Sequence, residues 1–140
     1  LMRNADVAMY RVKEHGRNSY RFFLPEMGGM ALGKLDMEGN LRRALENGEL
    51  VPYYQPKVNI ATGRIVGAEA LVRWHHPERG MVPPDVFISV CEDCGLICEL
   101  GALVLEKACA QQVAWAAAGR ELTVSVNLSP RQFVSRRQLS

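Results

Sequence analysis

Between Arg64 and Trp74 an apolar run is interrupted only by Glu69 and Arg73. Read as a strand, with successive side chains on opposite faces, this stretch puts Ile65, Gly67, Glu69, Leu71 and Arg73 on one side. Val66, Ala68, Ala70, Val72 and Trp74 fall on the other side, which is wholly apolar. The first face carries an acid and a base four residues apart. At roughly 3.3 Å per residue their Cα atoms stand about 13 Å apart, so a direct ion pair is strained. The two are therefore read as reaching for separate parts of one ligand, since buried charges are kept only where something pairs with them.

The same period places its neighbours. Val51 to Ile60 is a preceding strand with Tyr53, Gln55 and Lys57 on one face; Pro52 and Pro56 would interrupt a central ladder, so an edge or irregular strand is expected. Thr62-Gly63 is the turn between the two strands. His75 to Pro84, rich in glycine and proline, reads as a loop, and Asp85 opens a helix that stops near Gly95. A longer helix from about Leu96 to Ala118 carries Ile97, Leu100, Val104 and Ala108 at helical spacing, with Leu105, Cys109 and Val113 beside them. So wide a stripe belongs against a sheet, and Gly119 ends it. Leu122 to Leu128 then alternates again, with Thr123, Ser125 and Asn127 as its polar face.

Upstream the signals are weaker. Ala5, Ala8, Met9 and Val12 recur at helical spacing between a capping Asn4 and Gly16, and Ser19 to Phe23 reads as a short aromatic strand. Pro25, Gly28, Gly29 and Gly33 loosen the segment after Leu24, while Met37, Leu41, Ala44 and Leu45 form a helical apolar face before Gly48. Glu38 and Arg42 are spaced to pair on its outer side, worth about 0.3 kcal/mol. The domain boundary falls in this connector. Strand, strand, helix, helix, strand, polar inside and apolar outside, is part of a (β/α) barrel, in which reactive residues lie at the C-terminal strand ends. Asn127, the penultimate residue of its expected strand, suits that rule. A full barrel takes about 250 residues, so this chain holds less than half of one.

Composition narrows the function. A net charge of +2 is too small to argue for a nucleic-acid partner. No apolar run reaches the ~20 residues of a membrane helix, because Glu106 and Lys107 interrupt the longest candidate. The chain opens on Leu1 in mid-pattern, which leaves room for an upstream signal or membrane segment. Cys91 and Cys94 have a spacing found in zinc and redox sites, yet neither a second such pair nor a nearby histidine completes a tetrahedral set. Small buried thiols are the favoured reading of Cys91, Cys94, Cys98 and Cys109, with zinc the lesser alternative. His75 and His76 invite a metal as well; a structural turn at His76-Pro77 is favoured.

Tyr54-Gln55-Pro56, Thr62-Gly63, Gly67-Ala68-Glu69-Ala70-Leu71-Val72-Arg73-Trp74, His76-Pro77 and Asn127-Leu128-Ser129 with Gln132-Phe133 stand in a fixed order. Together they resemble the first part of the EAL domain, the cyclic-di-GMP phosphodiesterase family, over roughly Leu41 to Leu139. The resemblance implies an α/β fold, part of a (β/α)8 TIM-type barrel with an atypical first strand. It implies hydrolysis of one phosphodiester bond of cyclic-di-GMP to linear pGpG, with Mg2+ or Mn2+ as cofactor. Glu69 matches the family's catalytic first metal ligand and Asn127 the second, while Gln55, Leu71 and Arg73 match substrate contacts. Arg73 suits a phosphate oxygen by charge and geometry. Ser89, Cys91 and Ala102 replace a usual proline, alanine and tryptophan at positions that look structural.

Ala5-Asp6, Ala8-Met9-Tyr10, Lys13 and Gly16-Arg17-Asn18 resemble the closing segment of the diguanylate cyclase, or GGDEF, domain, although the signature loop itself is absent. Lys13 and Arg17 match residues that reach the nucleotide triphosphate in that family; a solvated helix end is the plainer reading. The implied division is 1–24 as the end of a GGDEF domain, 25–48 as connector, and 49–140 as the start of the EAL domain. The implied parent is a cytoplasmic signalling protein that binds cyclic-di-GMP, with room for a homodimer through this domain and a membrane anchor upstream. The rival from another class is a degenerate domain that binds the dinucleotide as a receptor without cutting it.

Overall fold

The computed structural model describes residues 30–134, with side chains from residue 33 onward. The helix and strand expected before residue 24 lie outside the described residues. In chain order the elements are α1 (Met30–Asn47), β1 (Leu50–Val58), β2 (Ile65–His76), β3 (Gly80–Val82), α2 (Pro84–Cys94), α3 (Ile97–Ala117), β4 (Thr123–Val126) and α4 (Arg131–Val134). The strands form an open sheet in the order β1-β2-β3, and β4 also pairs with β2. Among the described residues β1 lies at the edge of this sheet, one of the two placements expected from its prolines. None of the described helices is long and apolar enough to cross a membrane. The described residues fall into two compact units, 30–49 with 74–96 and 50–73 with 97–134.

The first unit is built on Trp74, which is fully buried. Its ring meets Phe87 edge-on at 5.6 Å and His76 at 5.2 Å. Its indole N–H donates to Glu49 Oε2 at 3.0 Å, so burial leaves no polar atom of the ring unpaired. Met37, Leu41 and Ala44, spaced to share one face of α1, are buried with Phe87 and Cys91 of α2. Helix α2 begins at Pro84, where a missing N–H costs nothing, and ends at Gly95 in the left-handed conformation (φ +83°), as the sequence predicts.

The stretch from His75 to Pro84 is not all loop: β2 runs on to His76, and β3 pairs antiparallel with it, Trp74 opposite Val82 and His76 opposite Gly80. A three-residue strand that opens on glycine carries too little alternation to be read from sequence. The reversal rests on His76, whose Nδ1 accepts the backbone N–H of Glu78 and of Arg79 at 3.1 and 3.2 Å, the structural turn expected of His76-Pro77. The Glu38–Arg42 pair forms at 2.9 Å, and Lys34–Asp93 at 2.7 Å is a further pair in this unit. Both lie largely in water and contribute about 0–1 kcal/mol each.

In the second unit β1 and β2 are joined by a turn in which Asn59 Oδ1 accepts from the N–H of Ala61 and Thr62, and Gly63 takes a positive φ. Strand β4 pairs parallel with β2. Ile97, Leu100, Val104 and Ala108 of α3 are buried, whereas Leu105, Cys109 and Val113 are exposed. Four of the seven expected stripe residues pack, because a helix on a sheet presents an arc of about 100° to it. The thiol reading is corrected with it: Cys91 is buried, Cys94 and Cys98 are half-buried, and Cys109 is exposed. Tyr54 packs edge-on against Trp115 at 5.1 Å, and its hydroxyl donates to Lys107 O at 3.4 Å.

Candidate functional site

The register of β2 against β4 sets Gly67 beside Thr123 and Glu69 beside Ser125. Neighbours in register share a face, so the polar face of one strand continues across the other. The strands meet closely at Gly67: a Cβ there would lie 2.6 Å from Thr123 Oγ1 and 2.7 Å from Thr123 O. Only glycine tolerates that approach, and it holds Glu69 at the level of Ser125.

Strand β4 ends at Val126, so Asn127 is the first residue beyond the strand and not the penultimate residue within it. The chain turns away there because Pro130 has no N–H for a ladder and the Ser129 N–H is taken by the Gln132 side chain at 2.7 Å. Gln132 in turn lies against Gly101 of α3, where any Cβ would collide with the Gln132 amide. The Asn127-Leu128-Ser129 segment is thus held by a glutamine that a glycine admits. Sequence reasoning gave neither Gly101 nor Gln132 this role.

Held in this way, Asn127 donates from Nδ2 to Glu69 Oε1 at 2.7 Å. Two residues 58 apart in sequence meet at one point, Glu69 half-buried and Asn127 exposed. Glu69 and Arg73 form no ion pair with each other, in keeping with their spacing. Arg73 is half-buried; its Nη1 donates to Val72 O at 2.9 Å, and its guanidinium carbon stands 6.0 Å from the centre of the Tyr53 ring. Gln55 is exposed on β1 and Leu71 is half-buried on β2. One further contact joins this face: Lys57 Nζ donates to Ser125 Oγ at 2.7 Å. Alternation alone put Lys57 and Ser125 on polar faces and could not bring them together.

The chemistry of the Glu69–Asn127 pair is that of hard oxygen donors. A carboxylate and, with its amide turned about the last torsion, an amide carbonyl suit Mg2+ or Mn2+. Two donors are fewer than such an ion takes, and among the described residues no group of three or more His, Cys, Asp or Glu side chains gathers at one place. The pair fits as part of a divalent-metal site.

A family model of the EAL domain matches residues 38–140. Over 134 residues the chain is 45% identical to the bifunctional diguanylate cyclase/cyclic di-GMP phosphodiesterase MucR of Pseudomonas aeruginosa, covering 95% of this chain and 20% of MucR. Over 133 residues it is 46% identical to the cyclic di-GMP phosphodiesterase PdeR of Escherichia coli, again with 95% and 20% covered. The chain thus spans about a fifth of the length of these two curated relatives. Among solved structures it resembles the MucR phosphodiesterase in its c-di-GMP complex, with a TM-score of 0.65 and 38% identity over 74% of this chain and 44% of that one.

Proposed function

Since this chain belongs to the EAL-domain family, we propose that it is the N-terminal part of a domain that hydrolyses one phosphodiester bond of cyclic-di-GMP to linear pGpG. The observation that carries this reading is the 2.7 Å contact of Asn127 with Glu69, the two residues expected to hold the metal. MucR and PdeR, by their names, act on the same dinucleotide.

In this mechanism the Glu69 carboxylate and the Asn127 amide supply oxygen ligands to Mg2+ or Mn2+. Held by these two residues, such an ion would supply polarisation of the phosphate and a lowered pKa for the attacking water. The remaining residues bind and orient. Arg73 takes a phosphate oxygen with a guanidinium already fixed through Val72 O. Gln55 hydrogen-bonds the dinucleotide from β1, and Leu71 gives an apolar wall beside Glu69. We further propose that the chain is a segment of a longer parent, with 1–24 the end of a GGDEF domain, 25–48 the connector and 49–140 the start of the EAL domain. The family match begins at residue 38, within the connecting helix.

The test is Glu69→Ala in the parent protein, with nucleotide products separated after incubation with Mn2+. Turnover is lost while binding of cyclic-di-GMP survives better; full-rate hydrolysis by the variant refutes the ligand assignment. A wild-type parent that binds the dinucleotide with no metal-dependent turnover is a receptor and overturns the enzymatic reading.

A further inference from the structure

Tyr53 and Tyr54 are adjacent on β1 and have opposite fates. Tyr54 is half-buried against Trp115, and burial pushes its phenol pKa up. Tyr53 leaves 46% of its surface in water, so part of the ring can be reached by a ligand. It shares its face with Gln55, the next residue but one. The guanidinium over its ring belongs to Arg73, which the Val72 carbonyl holds in place. A ring backed by a fixed cation is a rigid π-surface that costs little conformational entropy to use.

We propose that Tyr53, backed by Arg73, is the platform on which one nucleobase of the dinucleotide stacks. This inference rests on the reading of the site given above. Tyr53 and Gln55 stand about 7 Å apart along the strand, close to the width of a purine. A base lying on the tyrosine therefore brings its edge to the Gln55 amide, which offers both donors and an acceptor. Arg73 serves both ends of that half of the ligand, its charge available to a phosphate while it stands over the ring. Ring and amide together select a nucleobase, whereas Glu69 and Asn127 deal with the phosphodiester whatever base it carries.

The experiment measures binding of cyclic-di-GMP by the parent protein in the Glu69→Ala background, where substrate is not consumed, with Tyr53 as Tyr, Phe, Leu or Ala. Stacking predicts that Tyr53→Phe binds within about twofold of Tyr and that Tyr53→Ala binds about tenfold more weakly. Tyr53→Leu, which keeps apolar bulk without a π-face, falls close to Ala. With Glu69 restored, Tyr53→Ala raises KM while kcat stays within about twofold. Ligand also moves the Tyr53 ring-proton resonances upfield, a readout independent of how well any variant folds. Equal binding by Tyr53→Ala, equal loss in Tyr53→Phe, or unmoved ring resonances at saturation would each overturn the stacking role and leave the phosphodiesterase reading intact. Absence of binding by the protein with both Glu69 and Tyr53 in place would overturn both.

Discussion

Gly67→Ala is the smallest change that tests how the site is held. The added methyl would stand 2.7 Å from the backbone oxygen of Thr123, which cannot rotate away as a side chain can. Ordinary contact between carbon and oxygen begins near 3.4 Å, so β4 must retreat by about 0.7 Å. Strain of this kind costs about 1–3 kcal/mol. Passed along β4, the same shift stretches the 2.7 Å bond between Asn127 and Glu69 to about 3.4 Å, outside good hydrogen-bond range. Stability and metal affinity therefore fall together. Urea melts of the parent protein with and without Mn2+, beside Mn2+ titrations, measure both. Thr123→Ala on top of Gly67→Ala removes the Oγ1 clash but not the one with the backbone, so rescue is partial. A Gly67→Ala protein as stable as wild type, with unaltered Mn2+ affinity, would refute the claim that the meeting of Asn127 with Glu69 depends on close approach at this glycine.

Four other outcomes are expected. Trp74→Ala, which empties the centre of the first unit and leaves Glu49 without its indole partner, destabilises by about 3–5 kcal/mol in thermal or urea melts. Burial, then the neighbouring Cys94 and Glu92, pushes the Cys91 thiol from 9.0 up to about 12. Above about pH 9 the unfolded chain gives up this proton while the folded chain keeps it, so stability falls as pH rises from 9 toward 12, and Cys91→Ala flattens that slope in pH-dependent melts. In timed alkylation read by mass spectrometry, Cys109 labels first and Cys91 last. The 140-residue chain made alone does not turn over cyclic-di-GMP, because Glu69 and Asn127 leave an octahedral ion short of carboxylate charge. Product formation by refolded, monodisperse chain, abolished by Glu69→Ala, would contradict this.

The elements that could be read in advance are those whose two faces differ in character over many residues. From Ile65 to Trp74 strand β2 keeps both its charges on one face and only apolar residues on the other, and α1 and α2 stop at Gly48 and Gly95, both with positive φ. Legibility failed where an element was short or where a face depended on what lies opposite. Strand β3 is three residues long and begins with glycine. Leu105 and Val113 are as apolar as Leu100 and Val104, and only the position of the sheet decides that the first two face water. Cys109 and Cys91 differ for the same reason.

The site shows the limit more sharply. Its two central residues could be named from the local pattern and family motif, but their 2.7 Å meeting depends on a parallel register 58 residues apart in sequence. That meeting is permitted by what is missing: no side chain at Gly67, where β2 approaches Thr123, and none at Gly101, where the Gln132 side chain enters beside the turn after β4. Neither glycine lies at a chain reversal or takes a positive φ, so the usual sequence reasons for expecting glycine do not apply to them. A strand glycine within an alternating run is the one available cue, since it gives up packing and backbone entropy and must be kept for a close approach. Substitutions at such positions reach the ligands through backbone spacing, which is why Gly67→Ala is expected to weaken metal binding without touching a ligand.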